Sequence, residues 1–302
     1  MAAPAKSGAF LDNLGRIYMF YTGGFFAFVI VLAILEQMGV PNVYIGYGFV
    51  FLTILVYAVI GILSRTSQAG EYYVAGRSVP AFYNGMATGA DWMSAASFVG
   101  MAGSLFLLGY DGLAFVLGWT GGYVLVAILI APFLRKFGAY TVPDFFAARF
   151  DGNLPRFLAV IVLILCSFTY VVAQIFGTGL IAQRFLGMDF TVAVYVGLIG
   201  ILLCSMLGGM KAVTWTQVAQ YIVLIVAYLT PVVILSAKKY GLPIPQLTYG
   251  QAISDIGLLE KKMIADGLAS AATLKPHATP FINYSPLNYF ARILCLMVGT
   301  AS

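Results

Sequence analysis

The chain has 302 residues, of which 61% are hydrophobic and only 9% are charged, and its formal net charge is +5. Soluble domains carry about 25% charged residues, and an aqueous core of this length could not bury so much apolar surface. The basic residues occupy short segments between apolar runs, which is the positive-inside pattern, so nucleic-acid binding is not expected. The composition therefore predicts a polytopic membrane protein.

Long uncharged runs follow one another along the chain, each able to cross about 30 Å of hydrocarbon as a helix. They cover residues 17–35, 43–64, 112–134, 157–183, 190–210 and 212–237. A further run at 78–110 is interrupted only by Asp91, and another begins near Leu287 and is cut off at Ser302. The runs do not alternate as barrel strands do. We therefore predict an all-α fold with seven complete spans and one partial span.

The basic residues also predict an orientation. With the N-terminus in the cytoplasm, those on the inner side are Lys6, Arg16, Arg65, Arg77, Arg135, Lys136, Arg149, Arg156 and Lys211. Near the span ends on the outer side only Arg184, Lys238 and Lys239 are found. This bias favours a cytoplasmic N-terminus. The first apolar run is too long for a signal-peptide core, so we expect it to be an uncleaved helix.

The segments between the runs divide the chain into four parts. Residues 1–64 hold an N-terminal tail and two peripheral helices, and residues 65–237 hold five closely spaced core spans. Within that core, Pro143 and Asp144 predict a short helix in the loop at 135–156. Residues 238–286 form a long outer loop with a surface helix at 249–268 and an irregular stretch at 276–286. Residues 287–302 begin another span, and because that span is cut off we expect the chain to be part of a longer protein.

The stretch GMATGADWMSAASFVGMAG at 85–103 places a carboxylate, Asp91, in a membrane span. Such a charge costs at least about 2.5–3.5 kcal/mol, so it requires a partner, a cavity or a proton. The small residues around it weaken the helix and free backbone carbonyls, which together with Ser94 and Ser97 suit a hard cation such as sodium. The alternative is a small-residue packing face in which Asp91 is paired only for folding.

Three other stretches carry polar residues into the spans. In LGGMKAVTWTQVAQ at 207–220, residues Val213, Thr216, Gln217 and Gln220 share one helix face. That face could conduct an ion, although composition alone favours a turn followed by ordinary interhelical hydrogen bonds. Gln174, in YVVAQIFGTG at 170–179, requires a partner that is either another helix or a ligand.

The last stretch, VGTAS at 298–302, could begin another helix break at Gly299 and Thr300. His277 is the only histidine and lies in the outer loop, and each cysteine lies alone in an apolar run. We therefore predict no catalytic residue, no histidine or cysteine metal site and no cofactor.

Four motifs, GEYYVAGRSVP, ADWMSAASFVG, YTVPDFFAARF and LGGMKAVTWTQVAQ, resemble the sodium:solute symporter family in order and spacing over about residues 65–302. The stretch with Asp91 and MSAASF is most similar to the cation/acetate (monocarboxylate) branch. The resemblance implies a five-helix inverted-repeat fold, with the first repeat and the start of the second in this chain. The span at 80–110 would then be broken near its middle, and the span from 287 would be broken at Gly299 and Thr300.

The resemblance also implies a site. The backbone carbonyls of Ala90 and Met93 would help to hold sodium beside Asp91, with substrate near the bilayer midplane between the two broken helices. The residues expected to bind substrate are Ser94, Ser97, Gln174, Gly299 and Thr300. Thr216 and Gln217 would form a cytoplasmic gate. Many family members have Asp where this chain has Gln217, which leaves open whether sodium or a proton is the coupling ion.

The expected function is cation-coupled import of acetate or a similar small monocarboxylate across a bacterial inner membrane. Sodium or a proton, the carboxylate and the lipid bilayer would be the partners. The alternative is a transporter-like sensor input domain of a membrane histidine kinase, because the family also supplies such domains. An intramembrane enzyme is a weaker alternative, since no span carries a histidine or a metal-ligand cluster.

Overall fold

A computed structural model describes residues 13–268, 277–282 and 284–301, and within helices it leaves out the side chains of residues 200, 201, 203, 204 and 207. The predictions for the N-terminal tail, for residues 269–276 and 283 of the outer loop and for Ser302 lie outside the described residues. Across the described residues every regular element is helical, which confirms the all-α prediction.

The helices follow one another with short connections. They are α1 (Leu14–Gln37), α2 (Asn42–Leu63), α3 (Ala69–Val74), α4 (Ala81–Trp92), α5 (Ala102–Leu108), α6 (Leu113–Leu125), α7 (Ala131–Phe137), α8 (Val142–Phe150), α9 (Asn153–Leu186), α10 (Phe190–Tyr240), α11 (Pro245–Ala265) and α12 (Pro286–Ala301). Turns of π-helix at Ala96–Met101 and Val126–Ile130 lead into α5 and α7, and 3₁₀ turns occupy Ala75–Arg77 and Gly109–Gly112.

Among the described residues, five helical segments are long and apolar enough to cross a membrane. They are Leu14–Gln37, Asn42–Leu63, Ala96–Phe137, Asn153–Leu186 and Gly208–Tyr240. The difference from the seven predicted spans has two causes. The run at 78–110 is divided, and its second half continues into the single span Ala96–Phe137. Of the run at 190–210, in the first half of α10 before the kink at Gly209, only the shorter apolar helix Phe190–Ile199 is found among the described residues. Large apolar side chains along α9 are exposed, including Phe157, Ile164 and Phe168, as expected for a lipid-facing surface.

Two loop predictions are confirmed. Helix α8 begins after Thr141, whose hydroxyl accepts a hydrogen bond from the Asp144 amide at 3.3 Å, while Asp144 also forms an ion pair with Arg156 at 2.9 Å. An N-cap hydroxyl with proline in the first turn is a common start of a helix. The surface helix predicted at 249–268 is α11, which begins four residues earlier than predicted, with Pro245 in its first turn.

The described residues form two compact units, which are treated separately. The first unit contains the described part of Met1–Ala96 together with Phe168–Leu229, and the second contains Ser97–Ser167 with the described part of Thr230–Ser302. The core of the first unit consists of Leu14, Tyr18, Ala87, Trp215, Val218 and Ala219. Within that core the Tyr18 hydroxyl donates to the Trp215 carbonyl at 3.0 Å. These contacts pack α1 and α4 against the second half of α10.

In the second unit, α6 and α12 pack backbone to backbone. A Cβ on Gly118 would lie 2.5 Å from the Leu296 Cβ, and one on Gly122 would lie 2.4 Å from the Thr300 Cβ and 2.8 Å from the Met297 carbonyl. Small residues on one helix face allow such close approach in membranes.

The expected break at Gly299 and Thr300 is wrong for the described residues, because α12 is continuous through Ala301. The Thr300 hydroxyl donates to the Leu296 carbonyl at 2.7 Å, one turn earlier in the same helix, and the Thr300 side chain packs against Gly122. Contact with the glycine face of α6 thus supports helical geometry at this point of α12.

The described residues between α11 and α12 contact the turn between α5 and α6. The Tyr110 amide donates to the His277 carbonyl at 2.8 Å, and the fully buried Asp111 accepts from the Phe281 amide at 2.8 Å. Gly109 has φ +59°, and a Cβ there would lie 2.5 Å from His277 backbone atoms. The His277 amide in turn donates to the buried Glu260 carboxylate of α11 at 2.6 Å. His277 therefore has a structural role that its position in the sequence did not reveal.

The close contact of Gly122 in α6 with α12 predicts that adding a methyl group at this glycine destabilises the protein. We expect Gly122→Ala to lower the apparent Tm of the detergent-solubilised protein, because overpacking costs about 1–3 kcal/mol. The matched control is Gly103→Ala in α5, where nothing lies within 4 Å of the added Cβ, and alanine there should be neutral or stabilising. Equal effects of the two substitutions on Tm would contradict the proposed contact.

Candidate functional site

The span at 80–110, which the family resemblance predicts to be broken, has its first half in α4. This helix ends within the stretch of small residues around Asp91. Helix α4 stops at Trp92, and Met93 has φ −80° and ψ 51°, outside helical geometry. The Met93 amide donates to the Ala90 carbonyl at 3.1 Å and the Gly89 carbonyl at 3.3 Å. The helical path resumes as a π-helical turn at Ala96. The break predicted near the middle of this span is therefore present.

Gln174 of α9 binds the break directly. Its side-chain oxygen accepts a hydrogen bond from the Ala95 amide at 3.1 Å, which satisfies a backbone donor released by the interruption. Close packing supports this contact, because a Cβ on Gly177, one helical turn further along α9, would lie 2.6 Å from the Ala95 Cβ. Among the described residues, the Gln174 Nε2 atom is buried without a hydrogen-bond partner.

Asp91 is the last acidic residue before the break, and its side chain is exposed in this chain. Its carboxylate accepts a hydrogen bond from the side-chain amide of Gln217, in the second half of α10. The sequence indicated that Asp91 needs a partner, and the family resemblance implied that Gln217 belongs to a gate. Neither prediction connected the two residues. The structure brings them together.

The packing of α4 on α10 explains this contact. Ala87 is buried against the Trp215 and Val218 region of α10, and a Cβ on Gly89 would lie 2.9 Å from the Tyr221 ring. Small residues on α4 thus allow its backbone to approach α10 closely. Asp91, one turn after Ala87, consequently comes within reach of Gln217.

A cleft of about 1210 Å³ lies in the first unit, with mainly apolar walls from α2, α9 and α10. Its lining includes the four residues of the predicted stripe, Val213, Thr216, Gln217 and Gln220, together with Ala95 at the helix break. Thr216 is nevertheless almost fully buried, at 4% exposure. This helix face is therefore partly a cavity wall and partly a packing surface. The cavity wall agrees with the ion-conducting interpretation of the motif, and the buried Thr216 agrees with ordinary interhelical contacts.

Comparison with known proteins identifies the family. A sequence profile of the sodium:solute symporter family matches residues 72–257. The chain belongs to the sodium:solute symporter family. A relative from Cupriavidus necator, named an uncharacterized symporter, is 53% identical over 266 residues, which cover 86% of this chain and 39% of that protein. An uncharacterized symporter of Bacillus subtilis is 36% identical over 176 residues, which cover 58% of this chain and 34% of that protein.

These matches confirm the family predicted from the four motifs and support a multi-pass membrane protein. The chain spans less than two fifths of the length of either relative. The acetate branch and the roles of individual residues stay predictions. In this member of the family, Ala90, Asp91, Met93, Ser94, Gln174, Thr216 and Gln217 lie in the first unit, and Ser97, Gly299 and Thr300 lie in the second.

An ion pair that the sequence did not predict connects the segment between α2 and α4 to the kink of α10. Lys211 Nζ lies 2.9 Å from a carboxylate oxygen of Glu71. Next to it, Gly209 has φ +52°, and a Cβ there would lie 2.5 Å from the Tyr72 carbonyl. Hydrogen bonds from Lys211 and Thr66 hold the pKa of the Glu71 carboxyl below its usual value, against a smaller opposing effect of burial. The signal in the sequence was a glycine pair followed by a lysine, with no indication of its partner.

The lowered pKa of Glu71 predicts a pH dependence. A carboxyl whose pKa is lower in the folded protein stabilises the fold above its usual pKa of 4.5, and this stabilisation is lost as the pH falls through the lowered value. We expect Glu71→Gln to reduce the apparent Tm at pH 7, and the difference from the unsubstituted protein to shrink below about pH 4.5.

The matched control for this experiment is Glu36→Gln, because the Glu36 carboxylate has no ion pair among the described residues. Its effect on Tm should be small at both pH values. A Tm difference for Glu71→Gln that is the same at pH 7 and at pH 3.5 would show that the ion pair is not its cause.

Proposed function

We propose that the full-length protein is a symporter that couples the entry of a cation to the import of acetate or a similar small monocarboxylate. The observation that carries the proposal is the exposed Asp91 carboxylate at the end of a broken helix, in a chain of the sodium:solute symporter family. Sodium is the expected coupling ion and a proton is the alternative. We further propose a bacterial inner-membrane location with a cytoplasmic N-terminus.

The end of α4 supports a cation site for electrostatic reasons. The C-terminus of a helix carries partial negative charge, and the ends of broken helices commonly coordinate sodium in transporters of this type. The Ala90 carbonyl accepts one hydrogen bond, from the Met93 amide, and a carbonyl oxygen has a second lone pair available for a cation. Asp91 adds a full negative charge one residue further on. A cation at this position would be attracted by all three groups.

Coupling follows from the charge of the substrate. A carboxylate substrate near Asp91 would be repelled, because two like charges about 4 Å apart at an effective dielectric constant near 20 repel by roughly 4 kcal/mol. Substrate can therefore bind only when Asp91 is neutralised by sodium or by a proton. Binding of the cation with or before the substrate makes transport coupled and prevents a leak.

Gln174 supplies the group that suits the substrate. Its Nε2 atom is a buried donor without a partner among the described residues, and leaving such a donor unpaired costs about 1–3 kcal/mol. A carboxylate oxygen is a strong acceptor for this donor. Because the other end of the amide is fixed by the Ala95 backbone, the donor is held next to the helix break. Ser94, two residues beyond Trp92 where α4 ends, is the proposed second contact.

The principal test replaces the charge of Asp91. We expect Asp91→Asn to abolish or uncouple ion-driven uptake while membrane insertion is preserved, since the amide removes an intramembrane charge. The measurement is uptake of labelled acetate per inserted molecule, in vesicles at varied sodium concentration and pH. If the substituted protein is less abundant but transports with normal ion dependence, Asp91 serves folding only. If no monocarboxylate accumulates under either gradient, the transport proposal is wrong.

A second test separates the roles of the oxygen and the nitrogen of the Gln174 side-chain amide. Gln174→Glu keeps an oxygen to accept from the Ala95 amide but replaces the free donor with a second acceptor. We expect the KM for the carboxylate to rise at least about tenfold, a loss of about 1.4 kcal/mol of binding. The control is the half-saturating sodium concentration measured without substrate, which should change much less. An unchanged KM would remove Gln174 from the substrate site.

A further inference from the structure

The bond between Gln217 and Asp91 occupies the carboxylate that the proposed cation requires. Asp91 is ten residues into α4, about 15 Å from its start, and Gln217 is eight residues beyond the Gly209 kink, about 12 Å into the second half of α10. The two side chains therefore meet well inside the span. The Gln217 amide directs an N–H group at the Asp91 oxygen, so the partial positive charge of the donor lies where a cation would be attracted.

A dipole stabilises a carboxylate less completely than a full positive charge does. A cation that binds the same Asp91 oxygen would face the positive end of the Gln217 N–H group, and the two would repel each other. A carboxylate has further lone pairs, so the amide does not exclude a cation from Asp91 altogether. The amide and the cation nevertheless compete for the same oxygen, and the positive end of the N–H group weakens the attraction of the carboxylate for the cation.

We propose that Gln217 is a positioning residue that occupies Asp91 while no cation is bound and is displaced when the cation binds. This inference rests on the proposed function only in taking Asp91 to be the cation site. Because Gln217 also lines the cleft of the first unit, its side chain has space into which it can rotate on release.

The packing of the helices makes the exchange a side-chain movement. Val218 and Ala219, the two residues that follow Gln217, are completely buried, and Gly89 of α4 has no room for a methyl group against Tyr221. Helices packed this closely do not separate to accommodate one small ion. Rotation of the Gln217 side chain is sufficient to release the Asp91 carboxylate. Cation binding would then break the hydrogen bond that joins α4 to α10 at this point.

The decisive substitutions remove the amide and keep the size of the side chain. In the full-length protein, we expect Gln217→Leu and Gln217→Met to lower the half-saturating sodium concentration about tenfold, because the cation no longer competes with an internal donor. A tenfold change corresponds to about 1.4 kcal/mol. The measurement is a sodium titration of the purified protein without substrate, followed by tryptophan fluorescence, for which Trp92 is the adjacent reporter. The same titration at several pH values tests competition by protons.

The matched control is Gln220→Leu. Gln220 lies one turn further along the same helix face and lines the same cleft, and among the described residues its side chain is not bonded to Asp91. Its substitution should leave the half-saturating sodium concentration within about twofold of the unsubstituted value. If Gln217 only stabilises the fold, its substitution will lower the amount of protein without shifting the titration, and the inference is then wrong. Weaker sodium binding would make Gln217 a ligand of the cation and would also overturn it.

Failure of this inference is distinguishable from failure of the proposed function. If Asp91→Asn removes the fluorescence response while the Gln217 substitutions leave the half-saturating concentration unchanged, Asp91 is the cation site and only the role of Gln217 is wrong. If sodium binds and the Gln217 substitutions tighten its binding, but no carboxylate accumulates in vesicles, the inference stands and the transported solute is not a carboxylate. If neither sodium nor protons change the fluorescence of any variant, both proposals fail.

Discussion

A carboxylate within an apolar span must be partnered, and the arrangement of the first unit follows from that constraint. Asp91 lies in the last turn of α4, two residues before the break at Met93, and burying its charge in hydrocarbon would be costly. The structure meets the requirement with the amide of Gln217 and not with an opposite charge. A neutral partner leaves the carboxylate with its negative charge, and this is the property that the proposed cation site requires.

Close backbone packing produces the contact. Gly89 and Ala87 let α4 approach α10, and Gly177 lets α9 approach the break at Ala95. The same device recurs in the second unit, where Gly118 and Gly122 receive α12. In lipid there is no hydrophobic effect to press helices together, so association depends on this close packing and on hydrogen bonds such as that between Gln174 and the Ala95 amide.

The local sequence predicted much of the fold because the signals are local. Runs without charge become helices because a backbone surrounded by lipid must satisfy its own hydrogen bonds. Pro143 and Asp144 predicted the start of α8. The small residues around Asp91 indicated a weakened helix, and the family resemblance implied a break near the middle of that span, which the structure has at Met93. The break expected at Gly299 and Thr300 is not present in the described part of α12, because a glycine and a threonine are compatible with a helix that has a close-packed neighbour.

Long-range pairings were not predictable. The sequence identified Asp91, Gln174 and Gln217 as polar residues in need of partners, but they are 43 to 126 positions apart, and composition gives no pairing between them. The hydrogen bonds that Lys211 donates to Glu71 and that the Phe281 amide donates to Asp111 were likewise missed.

The sequence by itself determined that the chain is a helical membrane protein, where its broken helix lies and which family it belongs to, because run length, small-residue density and motif order are properties of neighbouring residues. The tertiary structure alone decided that Gln217 faces Asp91 and that Gln174 binds the break. Those contacts depend on how closely the helices approach, and the approach is set by a few glycines whose partners lie on distant parts of the chain.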